Sequence, residues 1–345
     1  MKQKKLIALL ICALMTVAAL TGCGGKKEPE KEPENLTLSD TVNIACMNGP
    51  TGMAMAPLMD TENYNIKVYQ SPADALPEII KGDIDIACVP SNMAAVLYNK
   101  TGGNIICLSP MVMGVLHILG NNTEISAVEE LKGKTIISSG QGGTPEYALK
   151  VVLGAHGLEM GKDVKVEWLA SHADVNTKLL KDEGTVAMVP EPFVSTALTK
   201  GGDKIKDIFD MNTLWSEATS QDFPMGVLIT RTDFMAGRLD DLKVVLKDLD
   251  QAIDYVNSGS DDAVQTIVDK GFLADAEITK KAIPNCGLCL YASDIEGSTF
   301  EEGAEIMKTF NETMFKADPK AVGGALPGDD MYLLGLPEVN NTKDK

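Results

Sequence analysis

Ser138 to Tyr147, "SSGQGGTPEY", is a glycine-rich turn between the apolar run "KTIIS" and the helically spaced "ALKVVLGAHG". Turns of this kind hold phosphate through backbone N–H groups at a helix start. A P-loop needs G-x-x-x-x-G-K-[ST] and a dinucleotide loop needs G-x-G-x-x-G. Both patterns fail at Pro145, and no lysine follows. What survives is Thr144 as an N-cap with Pro145 at the first helical position. That leaves backbone donors for a carbonyl, a sulfonate or a ring nitrogen. A ligand-free strand–helix turn is the alternative for this segment alone.

"NGPTGMAMAPLM" (48–59) reads similarly, with Thr51 as N-cap and Gly52 permitting close approach. Met47, Met53, Met111 and Met113 fall at strand ends, where such side chains fill a core or line a flat apolar ligand. Pro190-Glu191-Pro192-Phe193 places a carboxylate between two prolines directly after an apolar strand. Glu191 there either accepts hydrogen bonds from a ligand's amino group or ring N–H, or complements a helix dipole.

Catalytic patterns are sparse. The three histidines are His117, in a hinge strand, His156, beside the Gly157 C-cap signal, and His172, after a strand-like run where it caps a helix or lines a cleft. There is no G-x-S-x-G, no H-E-x-x-H and no carboxylate pair with metal spacing. Cys286-Gly-Leu-Cys289 has metal or redox spacing but lacks a second pair, so no metal or other cofactor is expected; a structural disulfide stays open. Cys46, Cys88 and Cys107 lie inside apolar runs and read as small buried hydrophobes. Arg231 and Arg238 are the only arginines, which disfavours a dianionic substrate.

The elements that must position these residues alternate, which argues an α/β fold with largely parallel sheets. Strand-like runs are 41–47, 65–70, 84–90, 104–109 and 114–120, then 134–139, 164–169, 185–190 and 226–231, with helical stretches between. Beyond residue 232 the pattern is nearly all helical. Strand, polar turn and helix recur in parallel: "VNIACM" with "TIISS", and "IDIACVPSN" with "VAMVPEPF". Ligands sit at the carboxyl ends of such strands. Two sheet units suggest a discontinuous first lobe (38–119 plus 228–345) and an inserted second lobe (120–227). A chain that crosses twice forms a hinge.

At the amino end, Met1-Lys2-Gln3-Lys4-Lys5 and the 15-residue apolar run "LIALLICALMTVAAL" read as a signal peptide over 1–22. The run is short for a membrane span. "LTGC" ending at Cys23 resembles a bacterial lipobox, with Cys23 the lipidation site, and 23–37 reads as a solvated tether. The expected address is the extracytoplasmic face of a cell membrane, reached through the lipid anchor alone. The formal charge of −18 grows more negative once Lys2, Lys4 and Lys5 leave, which argues against nucleic acid and for a self-repelling monomer.

"NGPTGMAMAPLM", "IDIACVPSNMAAVLYN", "LKGKTIISSGQGGTPEYALKVVL" and "VAMVPEPFVSTAL" together resemble the extracytoplasmic solute-binding proteins of ABC importers. The nearest group serves sulfonates, taurine, nitrate and thiamine-precursor pyrimidines, and the resemblance spans about residues 40 to 320. It implies a two-lobed periplasmic-binding-protein-like type II fold that buries a small molecule between the lobes and delivers it to a permease with its ATPase. Carried onto this chain, the implied ligand residues are Asn48, Gly49, Pro50, Thr51, Gly52, Met53, Ser91 and Asn92 in the first lobe. Those in the second are Ser139, Gly140, Gln141, Gly142, Gly143, Thr144 and Glu191, with His117 near the cleft floor. Phe193, Tyr147 and Trp215 offer a stacking face. Scarce arginine and Glu191 favour a thiamine-precursor-like pyrimidine over a sulfonate. The alternatives are a thiamine-pyrimidine-synthase-like enzyme and a lipid-anchored sensor without transport.

Overall fold

The computed structural model describes residues 36–292 and 299–337. The expected signal peptide and Cys23 lie outside the described residues. Among those described, no helix is long and apolar enough to cross a membrane.

The elements run β1 (Val42–Met47), α1 (Pro50–Met55), β2 (Tyr64–Tyr69), α2 (Pro72–Lys81), β3 (Ile86–Pro90), α3 (Ser91–Thr101) and β4 (Ile105–Met113). The chain then enters β5 (Leu116–Asn121), β6 (Thr135–Ser138), α4 (Thr144–Ala155), β7 (Lys165–Trp168) and α5 (His172–Lys181). There follow β8 (Val186–Pro190), α6 (Phe193–Gly201), β9 (Ile205–Asp210) and α7 (Met211–Thr219). The return passes through β10 (Pro224–Arg231) to α8 (Thr232–Gly237), α9 (Leu239–Asn257), α10 (Asp261–Asp269), α11 (Ala276–Ala282) and α12 (Phe300–Ala317).

Two five-stranded sheets form, in the orders β2-β1-β3-β10-β4 and β7-β6-β8-β5-β9. In the first, β2 and β3 pair parallel to β1, while β10 runs antiparallel to β3 and β4. In the second, β7 and β8 pair parallel to β6, while β5 runs antiparallel to β8 and β9. The two sheets are thus built alike, and the fold is the expected two-lobed α/β type II arrangement. β3 and β8 are buried along nearly their whole length because helices cover both faces, so they read as continuous apolar runs.

The crossings fall earlier than the expected boundaries at 119/120 and 227/228. β5 pairs wholly with second-lobe strands, so the first crossing is Gly114-Val115. "GVLHILG" looks like one strand, but Gly114 holds φ at 54°, where the chain turns out of β4. A side chain there would also strike Asn212. The return crossing ends at Phe223, whose carbonyl accepts the Gly114 N–H at 2.9 Å. β9 was not anticipated from the sequence. It is an edge strand with Lys206 and Asp207 exposed, and its pattern lacks an apolar run.

One hydrophobic cluster spans both lobes. It joins Val89, Leu97, Met307 and Phe310 to Ile118, Leu149, Trp215 and Phe223. Trp215 stacks on Phe223 at 4.9 Å and meets Phe310 of α12 at 5.6 Å. Its indole N–H donates to the Asp222 carbonyl at 3.0 Å. Fully buried in this joint, Trp215 cannot supply a ligand-stacking face. A second cluster fills the first lobe beneath α1 and α9 and contains Met53, Met111, Cys46 and Cys88. Those two methionines are therefore core filler.

Candidate functional site

Parallel strands point their carboxyl ends to one edge of a sheet, and the turns there receive the helix starts. In the first lobe that edge carries 48–52 after β1, Gln70-Ser71 after β2 and Ser91-Asn92 after β3. In the second it carries 139–143 after β6, 169–172 after β7 and Glu191-Pro192 after β8. The edges face one another. The Asn92 N–H donates to Thr144 Oγ1 at 3.4 Å, that hydroxyl donates to Asn92 Oδ1 at 3.2 Å, and Asn92 Nδ2 reaches the Gly142 carbonyl at 3.3 Å. Ser91, Asn92, Ser139, Thr144 and Glu191 are all buried.

Several local readings change. Thr144 is the first residue of α4 and Gly143 the N-cap, without a side-chain cap; the Thr144 hydroxyl goes to Asn92 instead. Likewise Gly49 caps α1, and Thr51 Oγ1 turns back to the Met47 carbonyl at 3.2 Å. The close approach at Gly52 is made by the Phe272 ring, which a methyl group there would strike. In the glycine loop, the Gly142 N–H donates to the Glu146 carboxylate at 2.6 Å and the Gly143 N–H to the Gly140 carbonyl at 3.0 Å. Gly140 and Gly142 hold φ at 82° and 80°, which only glycine adopts at no cost. The loop's donors are therefore partly spent, and one lies under a carboxylate.

Glu191 is 2% exposed. Its two oxygens accept the Ser195 N–H at 3.1 Å and the Ser195 hydroxyl at 2.9 Å, so it does close the first turn of α6. Burial pushes its carboxyl above the usual range, opposed by those two bonds and by the nearby His117. His117 lies on β5 with Nδ1 at 2.9 Å from Asp207 Oδ2 on β9. Burial lowers the imidazole's affinity for protons, but the Asp207 hydrogen bond and the charges of Asp207, Asp210 and Glu191 outweigh it and raise the pKa. Cys286, from the segment before α12, lies close enough for the Glu191 charge to add to the burial that pushes its thiol up. Cys286 and Cys289 are both free, so the CxxC pair is not a disulfide here. Among the described residues no group of three His, Cys, Asp or Glu is placed to hold a metal.

Gln70, which was not expected, and His172, expected to cap a helix or line the cleft, join this edge. Gln70 Oε1 accepts from Asn48 Nδ2 at 3.2 Å. His172, at the start of α5, has Nδ1 at 2.6 Å from Ser139 Oγ, and its ring tilts against Phe193 at 5.6 Å. Burial brings its pKa down to about 4, so it is a neutral imidazole at physiological pH. Its position after β7 was the sequence signal for it. Ser91 Oγ is fully buried with no hydrogen-bond partner among the described residues, an open valence in the first-lobe edge. A groove of about 770 Å³ lies elsewhere, between α4, α7 and α12, lined by Lys150, Val151, Met160, Thr219, Thr313 and Lys316. It contains none of the expected ligand residues.

The model of the NMT1-like family matches residues 60–269. The chain belongs to the NMT1-like family. No curated protein matches this NMT1-like chain. Among solved structures it is similar to an ABC transporter from Parabacteroides distasonis, at 21% identity and a TM-score of 0.69, covering 85% of this chain and 98% of that one. The periplasmic aliphatic sulphonate-binding protein SsuA of Escherichia coli is 15% identical, with a TM-score of 0.67 over 89% of this chain and 96% of that one. A Candida albicans gene product with the generic periplasmic-binding-protein fold is 17% identical, with a TM-score of 0.57 over 84% of this chain and 93% of that one. At such identities the likeness shows the shared fold of this NMT1-like chain, built from two lobes.

Proposed function

We propose that this chain is the solute-binding lipoprotein of an ABC importer, anchored through Cys23, which closes on one small molecule and hands it to a permease. The fold, the family and the neighbours' roles in ABC transport support the importer reading. For the ligand we favour a neutral, amino-bearing heterocycle of the thiamine-precursor pyrimidine type over a sulfonate or nitrate.

The observation that carries this choice is Glu191, a buried carboxylate whose side chain, among the described residues, is held by Ser195 alone and meets no lysine or arginine. A buried carboxylate with spare acceptor capacity favours a ligand that brings donors and repels one that brings negative charge. Glu146, bonded to the glycine loop, adds a second negative charge near that edge. Both arginines are engaged in the first lobe, Arg231 with Asp233 and the Gly82 carbonyl, Arg238 with Asp241 and the Thr41 carbonyl. The amino group would meet Glu191, and the ring would lie beside His172 and Phe193.

Calorimetry and thermal shift with the hydroxymethylpyrimidine precursor of thiamine, taurine and nitrate test this. The pyrimidine should bind and raise the melting temperature by linkage, and Glu191→Gln should weaken it roughly 10- to 100-fold, the worth of a hydrogen bond to a charged group. Binding of taurine or nitrate without the pyrimidine would sink the ligand assignment.

A further inference from the structure

We infer that Asn92 is a latch that closes the two lobes through protein-to-protein bonds of its own. The residue is fully buried, and every polar group it owns is engaged. Its N–H and Oδ1 are both bonded to the Thr144 hydroxyl, which donates to one and accepts from the other. Its Nδ2 donates twice, to the Gly142 carbonyl at 3.3 Å and to the Ala321 carbonyl at 2.9 Å. One carboxamide thus ties three separate stretches: the start of α3, the glycine loop of the second lobe, and the 3₁₀ turn Pro319–Val322 beyond α12.

The anchoring on the first-lobe side is reinforced about two turns along α3. Asn99 Nδ2 donates to the Val322 and Ala325 carbonyls at 2.7 and 2.8 Å, which fixes that turn to α3. On the second-lobe side, Gly142 cannot move freely, because its own N–H is held by Glu146 of α4. Asn92 therefore joins two rigid bodies rather than two mobile loops. Its capacity is spent on protein partners in both lobes, which removes it and Thr144 from the ligand's direct partners and gives them the closing role instead. A ligand need only occupy the space beside the latch, against Ser91 and Glu191. Closure and recognition are then carried by different residues, and the latch could fail while the binding-protein reading stands.

Small-angle scattering of the protein with no solute added tests this. The native chain should scatter as the closed form. Asn92→Ala and Thr144→Val should each raise the radius of gyration by moving the closed-to-open ratio roughly tenfold, the scale of one or two net hydrogen bonds lost. Combined, they should add little beyond Asn92→Ala alone, because both bonds of the Thr144 hydroxyl in this joint run to Asn92. Asn99→Ala, whose bonds stay within the first lobe, should leave the radius unchanged. If Asn92→Ala does not fold, Thr144→Val alone decides, since it removes one hydroxyl of the joint. A folded Thr144→Val with the native radius overturns the latch, and so does a native chain already more extended than the closed form.

Discussion

The lobes meet in two places of opposite character. On the hinge side the joint is aromatic, with Trp215, Phe223 and Phe310 packed in a core that continues into both lobes. Elsewhere it is polar, with Asn92 against Thr144 and Gly142 on the cleft side and Lys150 against Asp318 at 2.9 Å beside the groove. Apolar packing is non-directional and tolerates small rotations. Hydrogen bonds weaken steeply once their geometry is lost. A hinge needs the first kind of contact and a clasp needs the second, so stability should reside in one joint and conformational choice in the other.

Truncating the hinge joint should have the largest effect. Trp215→Ala is expected to cost about 3–5 kcal/mol in urea unfolding, the usual penalty for emptying a large buried site. A cost near that of an exposed residue would erase the distinction between the joints. The next effect is a pH dependence on the cleft side. Folded His172 stays neutral down to about 4, whereas unfolded it protonates near 6.5. The unfolded chain then binds more protons as pH falls through that window. Its contribution is full above 6.5 and lost on acidification, up to on the order of 3 kcal/mol. His172→Gln should lose less stability than the native chain between pH 7 and pH 4.5, and an identical loss would remove His172 from the buried edge. The smallest effect should come from Lys150→Ala, since the Lys150–Asp318 pair is partly exposed, with side-chain accessibilities of 39% and 29%. It should change stability by less than about 1 kcal/mol, and a larger change would mean that the polar contacts between the lobes also carry stability.

Much of this arrangement was readable in the residues, and where it was not the reason is physical. Strands such as Ile86–Pro90 and Val186–Pro190 stood out because burial on both faces demands a continuous apolar run. β9 did not, because an edge strand keeps Lys206 and Asp207 in water. Thr51 and Thr144 looked like caps by residue type, yet each hydroxyl found another partner once the chain had folded. Trp215 could not be told from a stacking residue, since an aromatic's sequence neighbours do not reveal which surface covers it. Gln70 is brought to the site by strand order alone, which no local pattern encodes, whereas His172 was signalled by its place after a strand-like run.

The strand order also sets a schedule for synthesis. β10 sits between β3 and β4 in the first sheet but is made after the whole second lobe. Residues 116–222 are contiguous and their sheet needs no strand from elsewhere. As the chain emerges amino end first, the second lobe can settle while β3 and β4 still lack the strand that separates them. Until Pro224–Arg231 arrives, the half-built first sheet exposes two unpaired edges, and unpaired edges invite association with other chains. The lobe that begins first is therefore the one that finishes last.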